Sequence, residues 1–130
     1  MTLGIHTVNV ANPVLDWLRN VAPPSVPGLF VKLHLGDPGG AGTANPSAVT
    51  ARMQATMSAA SGGMISLSLI SGSWSMTATE LVTHISVWDT VGPAGGNFLF
   101  SGILTASKSV VAGDTLTMTV LNVSQGPLAA

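Results

Sequence analysis

The chain has no cysteine. Neither a disulfide framework nor a thiolate metal site is open to it, so stability must come from packing, hydrogen bonds or neighbouring chains. Charge is nearly as scarce. Charged residues make up 7% of the sequence, against about 25% in an ordinary soluble domain. The basic residues are Arg19, Lys32, Arg52 and Lys108, and the net charge is −1. No basic patch is available to neutralise phosphates, so nucleic acid is not expected as a partner. No apolar run approaches the ~20 residues that cross a bilayer as a helix, and no membrane partner is expected. The opening Met1-Thr2-Leu3-Gly4-Ile5-His6 lacks the basic start, long apolar stretch and cleavage site of a signal peptide, so export by that route is not expected either.

Hydrophobic residues, by contrast, make up 46% of the 130 positions. That length fits one domain, long enough to bury roughly two-thirds of its unfolded surface. With so few charges, the surface must be built of Ser, Thr, Gly, Asn and exposed apolar atoms, which suits a free monomer poorly. Part of it is therefore expected to be covered by other subunits.

Along the chain, one early helix gives way to strand after strand. Asn12-Pro13 is a helix-start signal, because Asn can accept from a free N–H of the first turn and proline loses nothing there. Val14, Leu15, Leu18 and Val21 recur at helical spacing with Trp17 at the edge of the face, which predicts an amphipathic helix over 12–21. The prolines of Ala22-Pro23-Pro24-Ser25-Val26-Pro27 end it. From Leu29 the period changes to two: Leu29, Val31, Leu33 and Leu35 alternate with Phe30, Lys32 and His34, which predicts a strand with the first set buried. The glycine-rich loop over 36–46 looks too long and flexible to be core. Further strands are expected at 52–58, 64–70, 73–77, 81–88, 97–105 and 115–123, with a Ser61-Gly62-Gly63 hairpin turn. The expected fold is mainly β, an antiparallel β-sandwich or small barrel with one short N-terminal helix. The expected organisation is an N-terminal arm over 1–11, a single domain over 12–123 and a C-terminal tail over 124–130. Residues 2–10 have strand-like content without a nearby partner and are expected to reach the sheet edge of an adjacent subunit.

Chemistry-bearing groups are sparse. The carboxylates are Asp16, Asp37, Glu80, Asp89 and Asp114, and four of them fall in turns or at the helix start, where capping is the simplest role. His34 with Asp37, and His84 with Asp89, are close enough in sequence to meet, but a metal or proton-relay site needs a third convergent group. The simpler reading is that each histidine is satisfied by a nearby turn, while His6 sits in the arm. No serine stands in a Gly-x-Ser-x-Gly elbow, and Gly39-Gly40-Ala41-Gly42 lacks the Lys-Ser/Thr ending of a phosphate loop. No enzyme activity, cofactor or metal is expected. The aromatic side chains expected to make subunit or capsid contacts are Trp17, Phe30, Trp74, Trp88, Phe98 and Phe100, since aromatics are enriched in interface cores.

A series of ordered motifs adds a resemblance. Leu29-Phe30-Val31-Lys32-Leu33-His34-Leu35-Gly36-Asp37-Pro38-Gly39 is followed by Gly42-Thr43-Ala44-Asn45-Pro46, Arg52, Ala60-Ser61-Gly62-Gly63, Thr83-His84-Ile85-Ser86-Val87-Trp88-Asp89, Gly95-Gly96-Asn97-Phe98-Leu99 and Ala112-Gly113-Asp114. From about residue 12 to 121 this order resembles small virion structural proteins of tailed bacteriophages, met especially in phages of actinobacteria and often labelled tail fibre or accessory proteins. The resemblance implies a non-enzymatic virion component, assembled in the bacterial host cytoplasm. One compact domain of this length spans only about 40 Å, short for a fibre. The expected function is therefore capsid decoration as a homo-oligomer, with a trimer matching three-fold capsid sites. Its partners would be copies of itself and the major capsid protein or tail proteins. The alternatives are a tail or tail-fibre component, and a module binding host glycan or receptor through loops 36–47 and 89–97.

Overall fold

The computed structural model describes residues 3–125 and 129. Residues 1–2 of the expected arm, and 126–128 and 130 of the expected tail, lie outside the described residues. Within them the protein is mainly β and antiparallel, with one short N-terminal helix. The strands are β1 (Leu29–His34), β2 (Met53–Met57), β3 (Met64–Ile70), β4 (Trp74–Ser75), β5 (Glu80–Trp88), β6 (Phe98–Val110), β7 (Thr115–Leu116) and β8 (Asn122–Ser124). Six of them form one sheet in the order β6-β5-β1-β2-β3-β8, and β4 pairs with β7. The sheet curls into a half-barrel. Between a sandwich and a barrel, the chain takes the barrel route without closing it.

Local chemistry explains the hairpin. Gly62 and Gly63 take φ of +59° and +74°, and Ser61 and Met64 exchange both backbone hydrogen bonds at 2.9 and 3.1 Å. Two successive positive φ values match the right-handed twist of the flanking strands, and glycine supplies them without steric cost. β2 and β3 leave this turn in antiparallel register, with Ala55 opposite Ile70. At the centre of the sheet β1 pairs with both β2 and β5, placing Val31 between Met53 and Val87. Val31, Leu33, Ile85 and Val87 are buried there together with Ala55, Trp74 and Val82.

The loop 36–46 departs from expectation. It folds back along β1: Ser47 N donates to Leu33 O at 3.1 Å, Leu35 N to Asn45 O at 2.8 Å, and His34 bridges to Pro46. Within it Pro38 and Gly42 are buried. Gly42 lies at φ +75°, and a Cβ there would sit 2.4 Å from the Phe98 ring, so glycine is required for the loop to reach the sheet. This cover reverses the expected faces of β1 at its end, where His34 is fully buried and Leu35 is exposed.

The helix, α1, spans Asn12–Leu18 and continues a π-helical turn over Thr7–Ala11. Asn12 is the first residue of α1 and not its N-cap; its backbone N–H closes the preceding turn on Thr7 O. The side-chain cap of the preceding turn comes instead from His6, whose Nδ1 accepts from Asn9 N at 3.2 Å. The C-terminal end closes at Asn20, with φ 67°. Asn20 N donates to Trp17 O at 3.1 Å and Val21 N to Asp16 O at 3.0 Å, the paired bonds of a Schellman end, so Val21 falls beyond the helix. The stretch expected to reach a neighbouring subunit lies on its own sheet: His6 N donates to Leu99 O at 2.7 Å and Ser101 N to Gly4 O at 2.9 Å. The edge of β6 within the same chain is reached without any entropy of association.

At the other end, the strand expected over 115–123 breaks into β7 and β8 because its two ends pair with different partners, β4 and β3. β6 runs past its expected end to Val110, and its register with β5 shifts between Val82 and His84.

Candidate functional site

The six aromatic residues expected at subunit contacts divide sharply. Trp74 is 1% exposed and its Nε1 donates to Ala51 O at 2.9 Å. Trp88 and Phe98 are also buried, packed on each other with centroids 5.4 Å apart, and His6 meets the Phe98 ring edge-on at 5.6 Å. These three rings belong to the chain's own interior and present little to a neighbour. Phe30 and Phe100 are half-buried. Trp17 is 63% exposed, so its ring is the most available of the six.

Two polar devices behind Trp88 hold the loops. His34 Nδ1 lies 2.7 Å from Ala44 O, and a carbonyl only accepts, so Nδ1 carries the proton. Nε2 is then the acceptor for the Ser86 hydroxyl at 2.7 Å, and Ser86 Oγ accepts in turn from Trp88 Nε1 at 2.8 Å. The circuit is satisfied only by a neutral imidazole. Burial, opposed by the hydrogen bond to Ala44 and reinforced by Lys32 and His84, holds His34 below the ordinary histidine range.

Arg52 forms the second device. Its guanidinium lies 4.4 Å from the Trp88 ring centroid, and Nη1 donates at 3.0 Å to Thr90 O, Thr90 Oγ1 and Gly95 O. Asp89 closes the same loop by accepting from Asn97 N and Asn97 Nδ2, both at 2.8 Å. Loops 36–47 and 89–97 are thus braced from below.

The remaining carboxylates are engaged as well. Asp37 accepts from Gly39 N at 2.8 Å and Asp114 from Val111 N at 2.9 Å. Glu80 accepts from the Ser47 hydroxyl and from Ala48 N, and Asp16 pairs with Arg19 at 2.7 Å on the surface. His84 Nδ1 bonds the hydroxyl of its neighbour Thr83 at 2.6 Å, so the side chain that satisfies it is adjacent on the strand and not in a turn. Among the described residues no three of His, Asp and Glu converge as metal ligands.

Exposed apolar surfaces are easier to find than reactive groups. Neither α1 nor the π turn before it buries a single residue, and Leu15, Trp17 and Leu18 are each more than half exposed. Across the molecule, the unclosed side of the half-barrel forms a groove of about 830 Å³. Trp74 and Ile85 lie at its floor, β6 from Phe100 to Lys108 forms one wall, and residues 116–124 form the other. Ile103 and Val120 stand exposed on its rims.

Sequence reasoning placed His34 on the open face of β1 and gave Arg52 no role. The second was foreseeable in part, since a lone arginine among apolar strands must be paired if buried. The first was foreseeable only in part: the loop that follows β1 supplies Ala44 O to His34, as a nearby turn was expected to, but the Ser86 partner comes from a distant strand.

The family model described as podophage GP4 fiber I protein gp80 matches residues 5–125. No curated protein matches the chain. Among the described residues no helix is long and apolar enough to cross a membrane.

Proposed function

The chain belongs to the podophage GP4 fiber I protein family, and on that premise we propose that it is a non-enzymatic structural subunit of a virion fibre in a tailed phage, acting by assembly with copies of itself. The observation that carries this reading is the outward apolar surface of a nearly uncharged chain. Trp17, Leu18, Ile103 and Val120 are each at least 63% exposed, while the two devices around Trp88 brace the interior. A surface of that kind is expected on a subunit whose neighbours complete it.

The family favours the fibre over the capsid shell. The length argument that points to capsid decoration loses its force if a fibre is built from many short subunits in series. A second reading has its own support: loops 36–47 and 89–97, held by His34 and Arg52, form a stiff display that suits a host glycan or receptor. Cryo-electron microscopy of the virion tests the main proposal. Density for this half-barrel within a fibre is the expected result. Density in symmetric sites on the capsid shell would replace the fibre with decoration. Binding of the purified protein to host envelopes, lost when loop 89–97 is replaced by a Gly-Ser linker, would establish the second role.

A further inference from the structure

The two loops braced near Trp88 are held by groups of different chemistry. Loop 89–97 is gripped by the Arg52 guanidinium through Thr90 and Gly95, and an arginine keeps its charge at any pH the fold survives. Loop 36–46 is held from below by His34, whose ring bonds Ala44 O on the loop side and Ser86 Oγ on the sheet side. That pair of bonds exists only for an imidazole with one proton. Histidine is also the side chain that gains its second proton between pH 5 and 8.

While the loop is closed, a second proton on His34 has no good partner. The ring is fully buried. With Nε2 protonated it can no longer accept the Ser86 hydroxyl, and Ser86 Oγ already accepts from Trp88 Nε1 at 2.8 Å. The groups whose charge acts on the ring are Lys32 on β1 and His84 on β5, and both oppose the second proton. The other titratable groups of the surrounding elements are turned to their own bonds. Asp37 accepts from Gly39 N, Glu80 from Ser47 and Ala48 and Asp89 from Asn97, while His6 lies against the Phe98 ring. Water, the remaining partner for an imidazolium, reaches the ring once the loop lifts.

The loop is built so that it can lift by itself. Its ends are tied to β1 by Leu35 N donating to Asn45 O at 2.8 Å and Ser47 N donating to Leu33 O at 3.1 Å. Between them, Gly39 and Gly42 lie at positive φ, and residues 43–46 are exposed. The span that carries Ala44 O therefore has little burial to hold it beyond the bond to His34, the condition under which a segment opens without the rest of the fold.

We propose that loop 36–46 is a strap that His34 keeps closed at neutral pH and that lifts from the sheet in mild acid, while loop 89–97 and the sheet stay in place. Burial holds the closed-state ring below the ordinary histidine range, so the proton binds the open state better than the closed one. Each pH unit below about 6.5 then favours opening by at most about tenfold, until the closed-state ring titrates as well. Opening uncovers the Phe98 ring and the end of β1. The strap is a property of the single chain and does not depend on where that chain sits in a virion.

Amide hydrogen exchange of the full-length protein, followed residue by residue at pH 7.5 and pH 5 and corrected for intrinsic rates, reads the strap directly. Leu35 and Ser47 are expected to exchange at least about ten times faster than Val87 in β5 at both pH values, and to speed up at least about fivefold at pH 5. Asp89, whose N–H bonds Asn97 O at the base of the other loop, is expected to change less than twofold. Leu35 and Ser47 exchanging no faster than Val87 would mean that the loop opens only when the chain unfolds, and equal gains at Leu35 and Asp89 would mean a general loosening; either result overturns the proposal. His34→Gln should abolish the gain at Leu35 and Ser47, and His6→Gln and His84→Gln should retain it. A gain that survives His34→Gln, or that vanishes with His6 or His84, would assign the effect elsewhere. The wild-type chain supplies a readout that needs no variant: the His34 ring resonance should titrate below about pH 6.5, and a ring that titrates at or above that value would also overturn the proposal.

Discussion

Trp17 and Trp74 carry the same indole into opposite surroundings. Trp74 is 1% exposed on the half-barrel floor, with its Nε1 bonded to Ala51 O; Trp17 is 63% exposed on a helix that buries nothing. Neither tryptophan has a charged neighbour in the sequence except Asp16 beside Trp17, so composition does not separate them. The difference lies in how many elements converge. β4 pairs with β7, and Trp74 packs into the core of the sheet, whereas α1 packs chiefly on the turn that precedes it. One ring therefore serves the fold, and the other stands exposed to solvent.

The comparison can be broken most forcefully at its buried end. Trp74→Ala should cost about 3–5 kcal/mol, the range for a large aromatic removed from a core, measured as a loss of unfolding free energy in urea. A change below about 1 kcal/mol would mean that the floor of the half-barrel can collapse around the gap.

The loop cover over β1 comes next. Gly42→Ala drives a methyl into the Phe98 ring at a positive φ and should cost about 1–3 kcal/mol from overpacking alone. Gly40→Ala, with nothing within 4 Å of the new Cβ, should shift the midpoint little. Similar losses from the two would show that the loop is not seated on Phe98.

Ser86→Ala leaves His34 Nε2 and Trp88 Nε1 without their buried partner and should cost about 1–3 kcal/mol. The same circuit sets a pH dependence. Because His34 is held below the ordinary histidine value, the lock is fully present above about pH 6.5, the unfolded value. As pH falls further the unfolded chain binds the proton first, and stability declines through the depressed folded value. The urea midpoint should therefore drop between pH 7 and pH 5, and His34→Gln should flatten the drop. An unchanged slope in that variant would assign the pH dependence to other groups.

The smallest expected effect sharpens the other end. Trp17→Ala should change the stability of the isolated chain by no more than about 0.5 kcal/mol, as for an exposed site without special contacts, followed by thermal melting at low concentration. A large loss would place the ring inside the fold after all.

The strands were legible because a two-residue period is local: Ile65, Leu67 and Leu69 against their serines mark β3 without reference to anything else. The hairpin at Gly62 and Gly63 was legible for the same reason, since positive φ is a property of single residues. The capping role of Asn12 was misread because the chain enters α1 through a π turn that the His6 side chain caps. His34 was misread because alternation along β1 says nothing about a loop that returns to cover the outer face. The candidate assembly surface was half legible: the α1 ridge is written in Val14, Trp17 and Leu18, but the groove is not.

By itself, then, the sequence determined the β character, the antiparallel hairpin, the short helix and the shortage of charge. These follow from residue periodicity, single-residue backbone preferences and composition. Only the tertiary structure decided that the sheet stops at a half-barrel, that loop 36–47 buries His34, and that Trp74 lies inside while Trp17 stands out. Each of these depends on which distant segments meet, and burial belongs to that convergence, not to any side chain alone.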